Sequence, residues 1–291
     1  GNFTSCTTTP LCEASGSGTC YYINTDTGNN ANSCSFASPC FTLTKFLGSG
    51  VPSPPVGSIS LNPGDVVYIM GTNAVTGTYV HGGQTFAFYN EGSGTASDYK
   101  HIYQYPGATA RIESTVVNGS AIYLQDPARF WKFRGLRLTN NYGSGPLIRT
   151  GGVNDLKITN TYVYNSSGSG VGNHFGIYVN LGGAGSVYNV EVSRNFIKNY
   201  RWNGGGASED NTGGILVINK ADRPESGIYI ERNVIWDDGT AGQDPAWCIR
   251  KKHGAEVSAN VSTGIKVRNN YCIGTHGFVQ NNGSYMLIEN N

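Results

Sequence analysis

Cationic side chains able to meet an acidic substrate gather in the second half of this 291-residue chain. His174, Lys220, Arg250, Lys251, Lys252 and His253 fall in or beside short apolar segments: GIYV (176–179), GILVI (214–218) and WCIRK (247–251). If these segments stack as neighbouring strands, several of the cations share one face. Tyr178 and Trp202 then offer aromatic platforms for sugar rings. A groove lined this way binds an anionic glycan through charge-assisted hydrogen bonds, whether or not it cleaves it. The plainer reading is of scattered charges on an exposed sheet and rings that only pack.

The carboxylates are less suggestive. Asp237 and Asp238 are the residue types of a glycosidase acid pair, but adjacent residues on a strand face opposite ways, so they read as the start of a loop. Glu209, Asp210 and Asp244 lie in two long insertions, 199–214 and 236–246, that read as walls of a cleft beside the same strands. They are candidates to hold Ca²⁺, although their spacing is not that of a dedicated calcium loop. No residue is assigned as a metal ligand.

What must position these groups is a repeat. From about residue 120 the sequence falls into units of an apolar strand, a Gly/Asn-rich corner, a second alternating strand and a polar loop. The second strands align as FRGLRLTN (133–140), ITNTYVYN (158–165), VSRNFIKN (192–199), IERNVIWD (230–237), VRNNYCIG (267–274) and IENN (288–291). In this register Leu138, Val163, Ile197, Ile235 and Cys272 form one inward column. Thr161, Asn195, Asn233, Asn270 and Asn291 form another, in which each amide donates to one neighbour and accepts from the other. Variable loops between units, without helical periodicity, predict stacked parallel coils: an all-β, right-handed parallel β-helix, or solenoid. Residues 21–291 read as one domain behind a Cys-rich extension at 1–20.

Composition suits that class, with 41 Gly and only 13% charged residues. A formal net charge of +1 provides no field for nucleic acid, and no apolar run of about 18 residues predicts a membrane span. With no charged-then-apolar leader, the chain reads as a mature form. Seven Cys, five of them before position 41, indicate an oxidising compartment. Short loops are expected between Cys6 and Cys12 and between Cys34 and Cys40, while Cys272 reads as a small buried hydrophobe. Asn2, Asn118, Asn165, Asn260 and Asn282 head glycosylation sequons, consistent with a secreted glycoprotein.

The segments 21–47, 61–79, 91–113 and 120–141 resemble the opening of right-handed β-helix proteins of the chondroitinase B and alginate lyase type, in the pectate-lyase-like superfamily. The resemblance implies a capping helix over 41–47 and a first corner at Pro63-Gly64-Asp65. It also implies lyase chemistry, in which a Lys base removes the proton beside a uronate carboxylate while an Arg and Ca²⁺ stabilise the charge. CIRKKHG (248–254) is similar to the segment that carries the base, making Lys252 the base and Lys251 the second choice. The Arg belongs in a segment corresponding to GFVQNNG (277–283), where Gln280 and Asn281 stand instead. Pro245 and Trp247 occupy places the relatives give to metal-binding acids.

These departures favour a non-catalytic extracellular structural or glycan-associated protein, with a polysaccharide lyase acting through Lys252 as the alternative. The final strand, YMLIENN (285–291), is expected to leave an open edge with Met286, Leu287 and Ile288 exposed. Such an edge favours head-to-tail self-association that can propagate as a filament.

Overall fold

The computed structural model describes residues 10–47, 57–76, 85–88, 92–114, 119–125, 128–140, 148–165, 174–180, 187–202, 212–218, 225–238, 244–245, 247–252, 264–275, 277–281 and 286–291. Its strands build three long parallel sheets and one short antiparallel pair. Sheet I contains Cys20–Asn24, Val66–Met70, Lys100–Gln104, Arg129–Arg134, Asn154–Thr159, Val187–Ser193, Glu225–Glu231, Ile265–Arg268 and Met286–Glu289. Sheet II contains Ala74–Thr76, Arg111–Ser114, Arg137–Asn140, Tyr162–Asn165, Phe196–Lys198, Val234–Trp236 and Tyr271–Ile273. Sheet III contains Phe86–Phe88, Ile122–Gln125, Ile148–Gly151, His174–Asn180, Thr212–Ile218, Trp247–Lys252 and Gly277–Asn281.

From Val66 onward the chain visits sheets I, II and III in turn, then returns to sheet I one strand further along. Each circuit therefore has three strands where the sequence suggested two. The segments read as single second strands bend in the middle, because one residue there adopts left-handed backbone. These residues are Gly135, Asn160, Arg194, Arg232, Asn269 and Asn290, with φ between 49° and 69°. A short polar side chain eases that conformation and glycine removes its cost, whereas the two arginines adopt it against their intrinsic preference.

From Asn160 onward, the residue after each left-handed position carries the ladder. Thr161 N donates to Asn195 Oδ1 at 2.9 Å. Asn195 N and Nδ2 both donate to Asn233 Oδ1 at 3.0 Å. Asn233 N and Nδ2 donate to Asn270 Oδ1 at 3.0 and 2.9 Å, and Asn270 N and Nδ2 to Asn291 Oδ1 at 2.9 and 3.1 Å. Each Nδ2 spends its second proton on a sheet I carbonyl: Ile158 for Asn195, Val192 for Asn233, Ile230 for Asn270. Asn195, Asn233 and Asn270 are buried, so without these bonds the corner would carry unpaired donors and acceptors.

With the corners fixed, the side-chain period of two directs alternate residues inward. Leu138, Val163, Ile197, Ile235 and Cys272 are register partners, as expected. Ile122, Ile148, Ile177, Ile215 and Ile249 face them from sheet III, and Phe133, Ile158, Val192, Ile230 and Val267 from sheet I. Together they form one continuous apolar core.

Two close approaches narrow it. A Cβ added at Gly176 would lie 2.6 Å from Ile197 Cγ2, and one added at Gly214 would lie 2.7 Å from Ile235 Cγ2. One circuit later the same contact is a covalent bond, Cys248–Cys272. Cys272 is thus not the small buried thiol the sequence suggested.

The amino-terminal end differs from expectation in two further ways. No α-helix forms over 41–47; a four-residue 3-10 turn, Leu43–Phe46, stands there instead, with the Thr42 hydroxyl accepting from Thr44 N. Leu43, Phe46 and Leu47 still plug the core. One turn suffices to cover the end, and the β-branched threonines at 42 and 44 favour capping over helix propagation.

Cys34–Cys40 pairs as expected, but Cys12 pairs with Cys20, which opens sheet I, rather than with Cys6. Cys6 lies outside the described residues. The Pro63-Gly64-Asp65 turn stands directly before Val66–Met70, and its Asp65 carboxylate accepts from Thr19 N and Asn62 N at 2.6 and 2.7 Å. Among the described residues no helix is long and apolar enough to cross a membrane.

Replacing Asn233 by Ala strands donors on Asn195 and acceptors on Val192 and Asn270. Asn233→Ala should lower the unfolding free energy by roughly 2–4 kcal/mol in denaturant titration. A loss below about 0.5 kcal/mol, the range of ordinary surface changes, would contradict a structural role for the ladder.

Candidate functional site

Sheet III holds the strand segments in which the sequence placed its cations. Tyr178, Leu216, Arg250 and Gln280 are register neighbours in one column, and Val179, Val217, Lys251 and Asn281 in the next. Lys252 pairs with Ile218. His174 pairs with Thr212 at the opposite end of the strand, six residues from the Lys252 register position. At the usual rise per residue that is about 20 Å away. The stacking therefore does not bring His174 to the lysines.

Strand alternation also decides which cations are available. Lys251 falls in the same column as the core residues Val179 and Val217 and is fully buried, while Arg250 is only 1% exposed. Phe175, Tyr178, Leu216 and Ile218 form a small buried apolar cluster, separate from the main core, beside them. Neither Arg250 nor Lys251 is the open, solvated cation the sequence reading required, and Tyr178 is packing rather than a sugar platform. Trp202 lies in a two-residue strand, Arg201–Trp202, paired antiparallel with Asp244–Pro245, so the insertions containing both do converge. Lys220, His253, Glu209 and Asp210 lie outside the described residues, as do Asn2, Asn118, Asn260 and Asn282; Asn165 ends the strand Tyr162–Asn165.

Of the acids named as candidates for Ca²⁺, Glu209 and Asp210 lie outside the described residues and Asp244 stands in the short strand Asp244–Pro245. Asp237 is buried, whereas Asp238 is exposed, sits 3.3 Å from Lys198 and accepts from Asn199 Nδ2 at 3.1 Å. The two face opposite ways, as a loop start should. Among the described residues no three His, Cys, Asp or Glu side chains come together as metal ligands.

A second charged surface, which the sequence reading did not single out, occupies the outer face of sheet I. His101, Lys132, Lys157 and Glu191 are successive register partners across four strands. The next outward column runs Tyr22, Tyr68, Tyr103 and Arg134, with the Arg134 guanidinium 3.8 Å from the Tyr103 ring centroid. Residues 11–13 lie over these tyrosines: Tyr22 Oη donates to Leu11 O, Glu13 N donates to Tyr68 Oη, and Glu13 pairs with Arg134 at 2.6 Å.

Burial pushes the Tyr68 phenol up to about 12, with the Glu13 charge adding to it. His101 is 7% exposed, and its Nδ1 has no hydrogen-bond partner. Burial, reinforced by Lys132 and Arg134, pulls its imidazole down to about 4. The signal in the sequence was a basic residue recurring in KHIYQ, RFWKFR and NDLKIT. That recurrence is weakly marked because the repeat becomes obvious only at the Asn corners downstream.

No protein-family model matches the sequence, and no curated protein matches it. Among solved structures, a rhamnogalacturonan lyase superposes with a TM-score of 0.55 at 18% identity, over 94% of this chain and 73% of that one. A GH136 lacto-N-biosidase from Eubacterium ramulus gives a TM-score of 0.40 at 15% identity, over 87% of this chain and 36% of that one. An alginate lyase from Paenibacillus sp. str. FPU-7 gives 0.39 at 14% identity, over 79% and 92%. The likeness to the rhamnogalacturonan lyase is one of fold: all-β, with long parallel sheets.

His101 also supplies a pH test. The unfolded imidazole, at its ordinary 6.5, takes up a proton before the folded one at about 4, so stability is complete above 6.5 and falls as pH drops from 6.5 toward 4. Imidazole NMR should show a midpoint near 4, and His101→Gln should flatten this part of the stability profile; a midpoint near 6.5 would contradict the burial.

Proposed function

We propose that this chain is a secreted right-handed parallel β-helix protein that associates with acidic polysaccharide without cleaving it, its residues 21–291 forming one domain behind the extension at 1–20. The observation that carries this reading is the register around Arg250, Lys251 and Lys252. Leu216, Val217 and Ile218 lie on one side, and Gln280 and Asn281 pair with Arg250 and Lys251 on the other. A β-elimination needs a base and a second fixed cation to hold the carboxylate as charge develops on it. A neutral amide cannot take the place of that arginine.

Affinity for glycan is supported by the fold likeness to a rhamnogalacturonan lyase and by the surplus cations on sheet I. An extracellular location is supported by three disulfides, which persist in an oxidising compartment.

The same likeness favours one alternative, a lyase using Lys252. Both are tested by incubating the chain with polygalacturonate, rhamnogalacturonan, alginate and glycosaminoglycan, with and without added Ca²⁺. Retarded migration in gels containing an acidic polymer, with no rise in ultraviolet absorbance from unsaturated product, is expected. A rise abolished by Lys252→Ala would replace this reading with the lyase, and unaffected migration together with no rise for every polymer would overturn both.

Head-to-tail association belongs to the same proposal. In the edge strand Met286–Glu289, Leu287 and Ile288 are 47% and 48% exposed, and the strand's outer side pairs with no further strand among the described residues. Such an edge takes an added strand, from a continuation of a longer chain or from a second copy, and the second is the one proposed. Sedimentation should show a mass rising with concentration, reduced by Ile288→Lys; a constant monomer mass at high concentration would overturn it.

A further inference from the structure

We propose that Lys132 and Lys157, gathered around Tyr99 on the outer face of sheet I, form a subsite for the acid groups of an anionic polysaccharide. The site is separate from sheet III, and it rests on the glycan-binding reading only for the choice of polymer.

The starting point is a conflict that folding alone does not require. Lys132 and Lys157 are direct register partners on adjacent strands, with their side chains on the same outward face. Like charges placed opposite one another destabilise a sheet. Arg134, two residues along from Lys132 on that face, adds a third cation. Both lysine ammoniums converge on one ring, Lys132 Nζ at 4.4 Å and Lys157 Nζ at 6.0 Å from the Tyr99 centroid. Partial burial, then Lys157, then Arg134 pull the Lys132 ammonium below its ordinary value, so the free protein holds this charge at a cost.

The acids nearby are already engaged. Glu13 pairs with Arg134 at 2.6 Å, and Asp155 accepts from Arg129 at 2.8 Å and from Asn189 at 2.8 Å. Glu191 is engaged by both its oxygens, Oε2 in a salt bridge with Lys157 at 3.5 Å and Oε1 accepting from Ser193 Oγ at 2.6 Å, so one carboxylate faces two lysines. Among the described residues Lys132 has no carboxylate within salt-bridge distance. Its other register neighbour, His101, is neutral near pH 7 and has a buried ring nitrogen without a partner.

The aromatic floor is held at some expense. Phe130 meets Tyr99 edge-on at 5.5 Å from a backbone with φ of 57°, where the following circuits have Asp155, Asn189 and Gly227. A phenylalanine is a poor choice for left-handed backbone, and its return here is the ring that braces Tyr99. Lys157 keeps 41% of its side chain exposed and Lys132 and Tyr99 are half-buried, so an incoming acid group reaches the ammoniums from solvent. Carboxylates and sulfates satisfy the same geometry, and a chain carrying one on each sugar adds charge complementarity along the column.

The test is affinity electrophoresis of the full chain against polygalacturonate, dextran sulfate and neutral dextran, with thermal midpoints measured alongside. Wild type should bind one or both acidic polymers and not dextran; which one separates a carboxylate from a sulfate ligand. Lys132→Gln and Lys157→Gln should each weaken binding by roughly two- to fivefold, as expected for one exposed charged contact, and Lys132→Arg should retain it. Because repulsion is relieved, the Lys132→Gln midpoint should stay level or rise. Lys266→Gln, further along the same face, should bind as wild type.

Unchanged binding in the double variant Lys132→Gln/Lys157→Gln would overturn this subsite while leaving association with acidic polysaccharide, through another face, standing. A fall in midpoint that accounts for the weakened binding would overturn it in favour of a structural role. Wild type that binds neither acidic polymer would overturn both.

Discussion

The corner between sheets I and II is the constraint on which the molecule depends. A left-handed residue turns the chain sharply, and the next residue's backbone is thereby cut off from ordinary sheet partners. Asparagine meets that need because its amide repeats the donor–acceptor pattern of a peptide group. Its oxygen takes two protons from the preceding circuit, and its nitrogen serves both the following oxygen and a sheet I carbonyl. The ladder runs unbroken from Thr161 to Asn291. A one-residue slip at any corner would exchange inward and outward side chains for a whole circuit.

Fixed register has consequences on both sides of the sheets. Inside, it stacks like on like, so that Leu138 through Ile235 form a column, and the Gly176–Ile197 and Gly214–Ile235 contacts lead to the Cys248–Cys272 bridge. Outside, it turns recurring basic positions into a row. Sheet III and sheet I use this differently: Arg250 and Lys251 are buried in the former, while Lys132 and Lys157 stand partly in solvent on the latter. Cations on a parallel sheet therefore become a surface only where strand parity and burial both permit it.

Much of this was legible in the sequence where a physical signal was local and repeated. The Asn column and the Leu138 column could be read because each unit places the two residues a fixed distance apart. The division of each second strand was not, since Arg194 and Arg232 give no hint that they adopt left-handed backbone. The Cys248–Cys272 and Cys12–Cys20 pairs depend on which residues face each other across a circuit, which spacing alone does not encode. Lys251 looked like a surface residue by type, and only its parity with Val217 reveals the inward position. The sheet I column was missed because its early circuits lack the asparagine corner that marks the later ones.

Hydrogen exchange of the side-chain amides tests the central claim most directly. If the ladder holds the corners, the Nδ2 protons of Asn195, Asn233 and Asn270 should be protected to the same degree as backbone amides of the neighbouring core strands, opening only with them. Exchange of these three amides as fast as that of a solvent-exposed asparagine, in a chain whose core amides stay protected, would contradict the account.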